Sequence, residues 1–178
     1  MAAHAYFMGA VDDQRDDCRL QPNREATKDD LARIGVEMTT IEMNPEWGAQ
    51  LDKLSNAYDM HSRDEIHISR TRLPDFDAKL KTFFDEHLHR DAEVRFIKDG
   101  AGFFDVRSAK DEWIRIPVKR GDFVYLPAGI YHRFTTDRNE YVVAIRLFHA
   151  SPKWEAFARW KDGDFLEERK SYLESVKT

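Results

Sequence analysis

The chain has 178 residues, 42 % of them hydrophobic and 34 % charged, with a formal net charge of −5. Length and composition describe an ordinary soluble globular chain, enough for one domain with a single core. Scattered basic residues argue weakly against nucleic acid as a partner, the lone Cys18 excludes an intramolecular disulfide framework, and with no charged-then-apolar opening and no apolar run of 18 residues, neither a secretory leader nor a membrane span is expected.

In chain order, Thr27 with Asp30 can cap a short helix carrying Leu31 and Ile34, which Gly35 ends. Residues 36–41 are β-prone and predict a strand. Trp47, Leu51, Leu54 and Tyr58 then recur at helical spacing, and residues 65–68 alternate as a strand does. Phe76, Leu80, Phe83 and Phe84 mark one face of a further helix. From there the pattern changes to short strands at 94–98, 102–107, 112–116, 122–126, 131–135 and 141–148. Turns are predicted at Asp99-Gly100, Lys110-Asp111, Arg120-Gly121 and 137–139. Turns this short make the strands mostly antiparallel, and a closed barrel would remove exposed edges. After Pro152 comes a polar, aromatic tail. There Asp164 and Glu167 predict a capping box for a C-terminal helix containing Phe165, Leu166, Leu173 and Val176. The expectation is a mainly β, single domain over residues 1–178. Its barrel core occupies about 87–148, with α/β packing from 1–86 and a tail and helix over 149–178.

The candidate chemistry lies at His87, His89, Glu93 and His132. Alternate side chains on a strand share a face, so His87 and His89 can both aim inward with Cα atoms about 6.6 Å apart. On a helix the pair would point in roughly opposite directions. A straight strand would carry Glu93 some 13 Å past His89. The chain must therefore bend near Arg90, Asp91 and Ala92. His132 arrives on a later strand, after the Pro127–Gly129 turn. Three neutral nitrogens and one carboxylate suit a divalent first-row metal and leave two octahedral positions for a chelating substrate.

These residues also resemble the two cupin motifs. His87, His89, Glu93 and Gly100 match the first, and Gly121, Pro127, Gly129 and His132 match the second. Lys81 and Thr136 depart from the motifs, but at scaffold positions. Beyond the ligands, several longer stretches resemble the acireductone dioxygenase family. They are Phe83-Phe84-Asp85-Glu86-His87-Leu88-His89, Gly100-Ala101-Gly102-Phe103-Phe104-Asp105-Val106-Arg107, Trp113-Ile114-Arg115-Ile116, Leu126-Pro127-Ala128-Gly129-Ile130-Tyr131-His132-Arg133-Phe134-Thr135 and Arg146-Leu147-Phe148. The similarity reaches back to Ala5-Tyr6-Phe7-Met8. Arg90, Ala92 and the His149-Ala150-Ser151 stretch differ from the family, which bears on tuning around the ligands.

The resemblance implies a cupin barrel, jelly-roll-like, that holds one Fe(2+) or Ni(2+) per monomer. It implies a dioxygenase of methionine salvage acting on 1,2-dihydroxy-3-keto-5-methylthiopentene and O2. With iron the implied products are 4-methylthio-2-oxobutanoate and formate. With nickel they are 3-methylthiopropanoate, formate and carbon monoxide. It further places Arg95 and Arg146 by an anionic enediolate, with Phe83 and Phe134 as aromatic walls. Read from the residues alone, Arg95 shares the inward face with Glu93, and Arg146 sits in an otherwise apolar strand where an unpaired charge is costly. The structural alternative is an ion pair of Arg146 or Arg95 with a barrel carboxylate such as Asp105, and the site role is the reading taken for both. Phe84, Phe103 and Phe104 read as core, His67 between Ile66 and Ile68 points away from their face to solvent, and His4, His61 and His149 lack partners at ligand spacing. The proton acceptor stays open between Glu93 and a nearby base. The alternatives are another cupin dioxygenase or isomerase, or a non-catalytic cupin that binds a protein. A cytoplasmic monomer is expected, with the nucleus as a second location and no membrane insertion.

Overall fold

Local chemistry sets most of the element boundaries in the computed structural model, which describes residues 4–151 and 154–177. Strand β1 (Tyr6–Phe7) is followed by helix α1 (Lys28–Arg33), where Thr27 and Asp30 form the reciprocal capping box and Gly35 follows with φ +75°. Then come β2 (Glu37–Thr40), α2 (Trp47–Ala57), β3 (Ser62–Ile68), α3 (Phe76–Phe84) and the short β4 (His87–Leu88). Strands β5 (Glu93–Arg107), β6 (Trp113–Lys119), β7 (Asp122–Leu126), β8 (His132–Thr136) and β9 (Val142–Phe148) form the bulk of the sheet. The chain ends with β10 (Phe157–Ala158), a 3-10 turn (Gly163–Phe165) and α4 (Glu167–Ser175). Pro152, the expected start of the tail, lies outside the described residues.

Strand β5 organises the fold. Its first half pairs antiparallel with β7 and β9, and its second half with β6 and β8. Asp99-Gly100 is therefore not a turn between two strands, as local turn chemistry predicts. The strand runs through it with a bulge between Ile97 and Asp99 and passes from one half of the sheet to the other. Gly100 makes the crossing possible: φ is +79°, and a Cβ there would sit 2.1 Å from the Tyr141 carbonyl oxygen.

One path then runs β1-β6-β5-β8-β4-β10, with β7, β2, β9 and β3 branching from β5. Among the described residues no ladder joins β3 or β2 back to β10 or β1. The expected closed ring is instead an open antiparallel sheet folded across β5, which keeps the mainly β, jelly-roll-like class. Bulge and bend wrap the sheet without a final pair of hydrogen-bonded strands.

Period-two alternation decides what faces the interior. Glu93, Arg95 and Ile97 on β5 line one cavity together with His132 and Phe134 on β8, Ala144, Arg146 and Phe148 on β9, and Ile66 and Ile68 on β3. The intervening Val94 and Phe96 point the other way, into a cluster with Phe123, Ile145 and Leu147 that packs on Leu51 of α2. Trp47 stacks on Phe96 with ring centroids 5.5 Å apart. Helix α2 thus covers the outer face of this part of the sheet, while α3 packs on the inner face and sends Phe83 to the cavity wall.

The C-terminal helix begins differently from its sequence signature. Leu166 precedes α4 with no side-chain cap, and Asp164 instead accepts a 2.6 Å hydrogen bond from the Tyr131 hydroxyl. A buried tyrosine tip that needs a partner outcompetes the helix end for the carboxylate.

Candidate metal centre

His87 and His132 face one another directly across β4 and β8, and the bend at residues 90–91 returns the chain so that Glu93 opens β5 beside them. The ligand atoms of His87, His89, Glu93 and His132 all lie within 4.8 Å of one another. A Glu93 carboxylate oxygen stands 2.9 Å from His89 Nε2 and 3.1 Å from His132 Nε2. The three rings are mutually tilted or edge-on, with centroids 4.5 to 5.2 Å apart. All four expected ligands converge.

Each imidazole is oriented by its other nitrogen. Nδ1 of His87 lies 2.6 Å from the Asp85 carbonyl oxygen, that of His89 2.7 Å from Glu155, and that of His132 2.9 Å from Ile130. A carbonyl can only accept, so each Nδ1 carries a proton, and Nε2 is the nitrogen turned to the common point, where its lone pair would bind a metal in place of a proton. This arrangement fits a divalent metal: fixed tautomers, ring planes set by outer partners and one carboxylate among three nitrogens.

The charges agree with that donor set. Burial pushes His87 down to about 3, helped by His132 and His89 beside it, so the ring is neutral near pH 7. Burial works against ionisation of Glu93, but Arg95 and His132, with hydrogen bonds from His132 and His89, prevail and hold it well below the ordinary carboxylate range. Burial likewise opposes a charge on His89, yet its hydrogen bond to Glu93 and that carboxylate's charge raise it overall.

The cavity around these ligands has a volume of about 560 Å³. Both expected arginines line it, as direct partners across β5 and β9. Arg95 donates to the Val94 carbonyl at 3.0 Å and lies 3.5 Å from Glu93. Arg146 binds both oxygens of Asp64 at 2.7 Å. Asp105, named above as an example partner, pairs elsewhere: Arg115 grips it at 2.7 and 2.8 Å and Arg133 at 2.8 Å. Phe83 and Phe134 both line the cavity with centroids 6.4 Å apart, and Phe104, in the core as expected, also borders it, 4.9 Å from Phe134.

Sequence reasoning missed three contributors. Asp64 holds Arg146 from β3, 82 positions away, and only the β3–β9 register reveals it. Trp154 lines the cavity next to Phe148, with the Arg146 guanidinium 5.4 Å from its ring. Glu155 acts through its backbone oxygen, which no side-chain pattern records. Arg90 pairs with Glu168 at 3.1 Å and, like Ala92 and His149, borders the cavity. His67 and His61 pair with Glu65 and Asp59, outside the cavity.

Among the described residues no helix is long and apolar enough to cross a membrane. The model of the ARD/ARD' family matches residues 4–156. An acireductone dioxygenase of Gallus gallus is 45 % identical over 169 residues, covering 94 % of this chain and 93 % of that protein. One of Schizosaccharomyces pombe (strain 972) is 52 % identical over 128 residues, 71 % of this chain and 72 % of that protein. A solved acireductone dioxygenase from Bacillus anthracis, with a cadmium ion in its active centre, superposes with a TM-score of 0.70 at 22 % identity. It covers 88 % of this chain and 99 % of the other, a likeness of fold. With its family match running from β1 to the edge of β10, and a relative alike along nearly its whole length, the chain belongs to the ARD/ARD' family.

Proposed function

We propose that this chain is a metal-dependent dioxygenase that cleaves the acireductone 1,2-dihydroxy-3-keto-5-methylthiopentene with O2, using one Fe(2+) or Ni(2+) held by His87, His89, Glu93 and His132. The observation that carries the reading is the convergence of three Nε2 atoms and one carboxylate at the wall of a cavity that also holds two arginines. A divalent metal held by these four residues would supply Lewis acidity toward a chelating enediol.

The protein residues do the rest. Arg95 and Arg146 place positive charge beside the position of an anionic enediolate and favour its deprotonated, electron-rich form. Asp64 holds Arg146 in a two-point grip, so its guanidinium plane is set before substrate arrives. Phe83, Phe104 and Phe134, with Ile66, Ile68, Ile97 and Ala144, line the cavity with apolar surface suited to a methylthioalkyl tail. The same surface limits water around a reactive intermediate. Cleavage by O2 gives 4-methylthio-2-oxobutanoate and formate in the iron form, and 3-methylthiopropanoate, formate and carbon monoxide in the nickel form.

The test is oxygen uptake by metal-free protein reloaded anaerobically with iron and then given acireductone and air. Uptake with formate release is expected. No uptake above the protein-free rate would overturn the proposal, and identical products from iron and nickel forms would overturn the metal-dependent outcome.

A further inference from the structure

We propose that Arg169, on the C-terminal helix, is a positioning residue for the metal centre: it holds the Gly129 carbonyl and thereby fixes the turn that carries His132 and braces His89. The inference rests on the metal reading of the site given above.

Arg169 is oddly placed for a merely structural residue. It is 8 % exposed, and no carboxylate among the described residues pairs with it. Its Nε is buried without a hydrogen-bond partner. The guanidinium lies 4.3 Å from the Tyr131 ring centroid and 5.5 Å from that of Tyr172, and its Nη1 donates to the Gly129 carbonyl oxygen at 3.1 Å. A buried cation with no carboxylate in contact, Asp164 acting on it only from longer range, is expensive, and an apolar side chain of similar size would fill the space at lower cost. What the guanidinium adds is a charged donor aimed at one backbone oxygen.

That oxygen sits at a junction between ligands. Gly129 is left-handed, with φ +82°, and its own N–H donates to the carbonyl oxygen of His89 at 3.1 Å. The next carbonyl, that of Ile130, accepts the Nδ1 proton of His132. With its N–H tied to His89 and its C=O tied to Arg169, Gly129 is held on both sides. The position of the Ile130 carbonyl follows, and with it the direction of His132 Nε2. Outer partners of this kind set ligand direction and metal affinity.

Helix α4 sits directly on this turn: a Cβ at Gly129 would lie 2.3 Å from the Glu168 carbonyl oxygen and 2.9 Å from Tyr172 Cβ. A second tie joins the same pieces, from Tyr131 beside His132 to Asp164. Residues 163–175 lie beyond the 4–156 stretch that the family model matches, so that match assigns them no part in the site.

Visible absorption during Co(2+) titration of metal-free, full-length protein tests this. Arg169→Met should weaken Co(2+) binding on the order of 10-fold, the scale of an outer-partner loss, and alter the spectrum of the bound ion. Arg169→Lys, which keeps a charged donor, should recover most of both. Tyr172→Phe removes a 3.0 Å bond from the same helix to the Ile34 carbonyl without touching Gly129, and should lower stability while leaving Co(2+) affinity and spectrum unchanged. Wild-type affinity and spectrum in Arg169→Met, or an equal loss in Tyr172→Phe, would overturn the proposal. If Arg169→Met does not fold, Arg169→Gln, too short to reach the carbonyl, is measured by the same two criteria. Failure of the wild-type protein to bind Co(2+) would instead overturn the metal reading, and this inference with it.

Discussion

Replacing Arg146 by alanine separates a role in the reaction from a role in the fold. The side chains of Arg146 and Asp64 are 21 % and 29 % exposed, and two 2.7 Å contacts join them. An exposed pair is worth up to about 1 kcal/mol, and breaking a fully buried one costs roughly 3–5 kcal/mol. This half-buried, bidentate pair falls between, so Arg146→Ala should lose about 2 kcal/mol of stability. Part of that loss is the stranded Asp64 carboxylate. Removing it as well, in Arg146→Ala/Asp64→Ala, should return a good part of the stability. Turnover should behave otherwise. A hydrogen bond to a charged group is worth about 1.5–3 kcal/mol, so losing one from the enediolate should lower kcat/KM roughly 10- to 150-fold in both the single and the double variant. Denaturant titration gives the first quantity, and oxygen uptake with iron-loaded protein gives the second. Recovery of stability and turnover together in the double variant would show that Arg146 serves only to pair with Asp64.

His89→Ala removes a nitrogen from the centre and should cost more metal affinity than the roughly 10- to 100-fold typical of an outer partner, with activity lost in step; metal analysis after dialysis checks both. Gly100→Ala forces a Cβ to 2.1 Å from the Tyr141 oxygen at φ +79°, and should destabilise the protein by about 3 kcal/mol or more in denaturant titration. Glu140 is held below its ordinary range first by the hydrogen bond from Arg70 and, against some burial, by that from Arg15. A depressed carboxyl contributes stability that is present above its unfolded value, about 4.3, and is lost as pH falls through the lower folded value. Glu140→Gln should therefore melt lower at pH 7 and show a shallower fall in Tm below about pH 4 than the parent.

What the sequence revealed, and what it hid, follows from the range of each interaction. The capping box of Thr27 and the spacing of His87 to His89 are local, written in residue types and in the period of one strand. The second motif is legible for the same reason, since Gly129 at φ +82° declares its turn before His132. Asp99-Gly100 misleads because its local chemistry favours a hairpin, whereas pairing with β9 on one side and β6 on the other keeps the strand going. Asp164 misleads likewise: it lies at cap spacing but answers a tyrosine 33 positions away. The grip of Asp64 on Arg146 depends on a register between strands that share no neighbouring sequence. The Glu155 carbonyl that orients His89 belongs to the backbone, where residue type carries no signal. The ligands were therefore readable, and most of the groups that aim them were not.

X-ray absorption on the nickel-loaded protein tests the central claim most directly. Three imidazoles and one carboxylate at a single ion predict one nickel per chain, six nitrogen or oxygen neighbours, and outer-shell scattering that requires three imidazole rings. Two of the six neighbours should exchange for a chelating enediol analogue while the imidazole scattering stays. Fewer than three imidazoles, a sulfur neighbour, or a shell that the analogue leaves untouched would contradict the account.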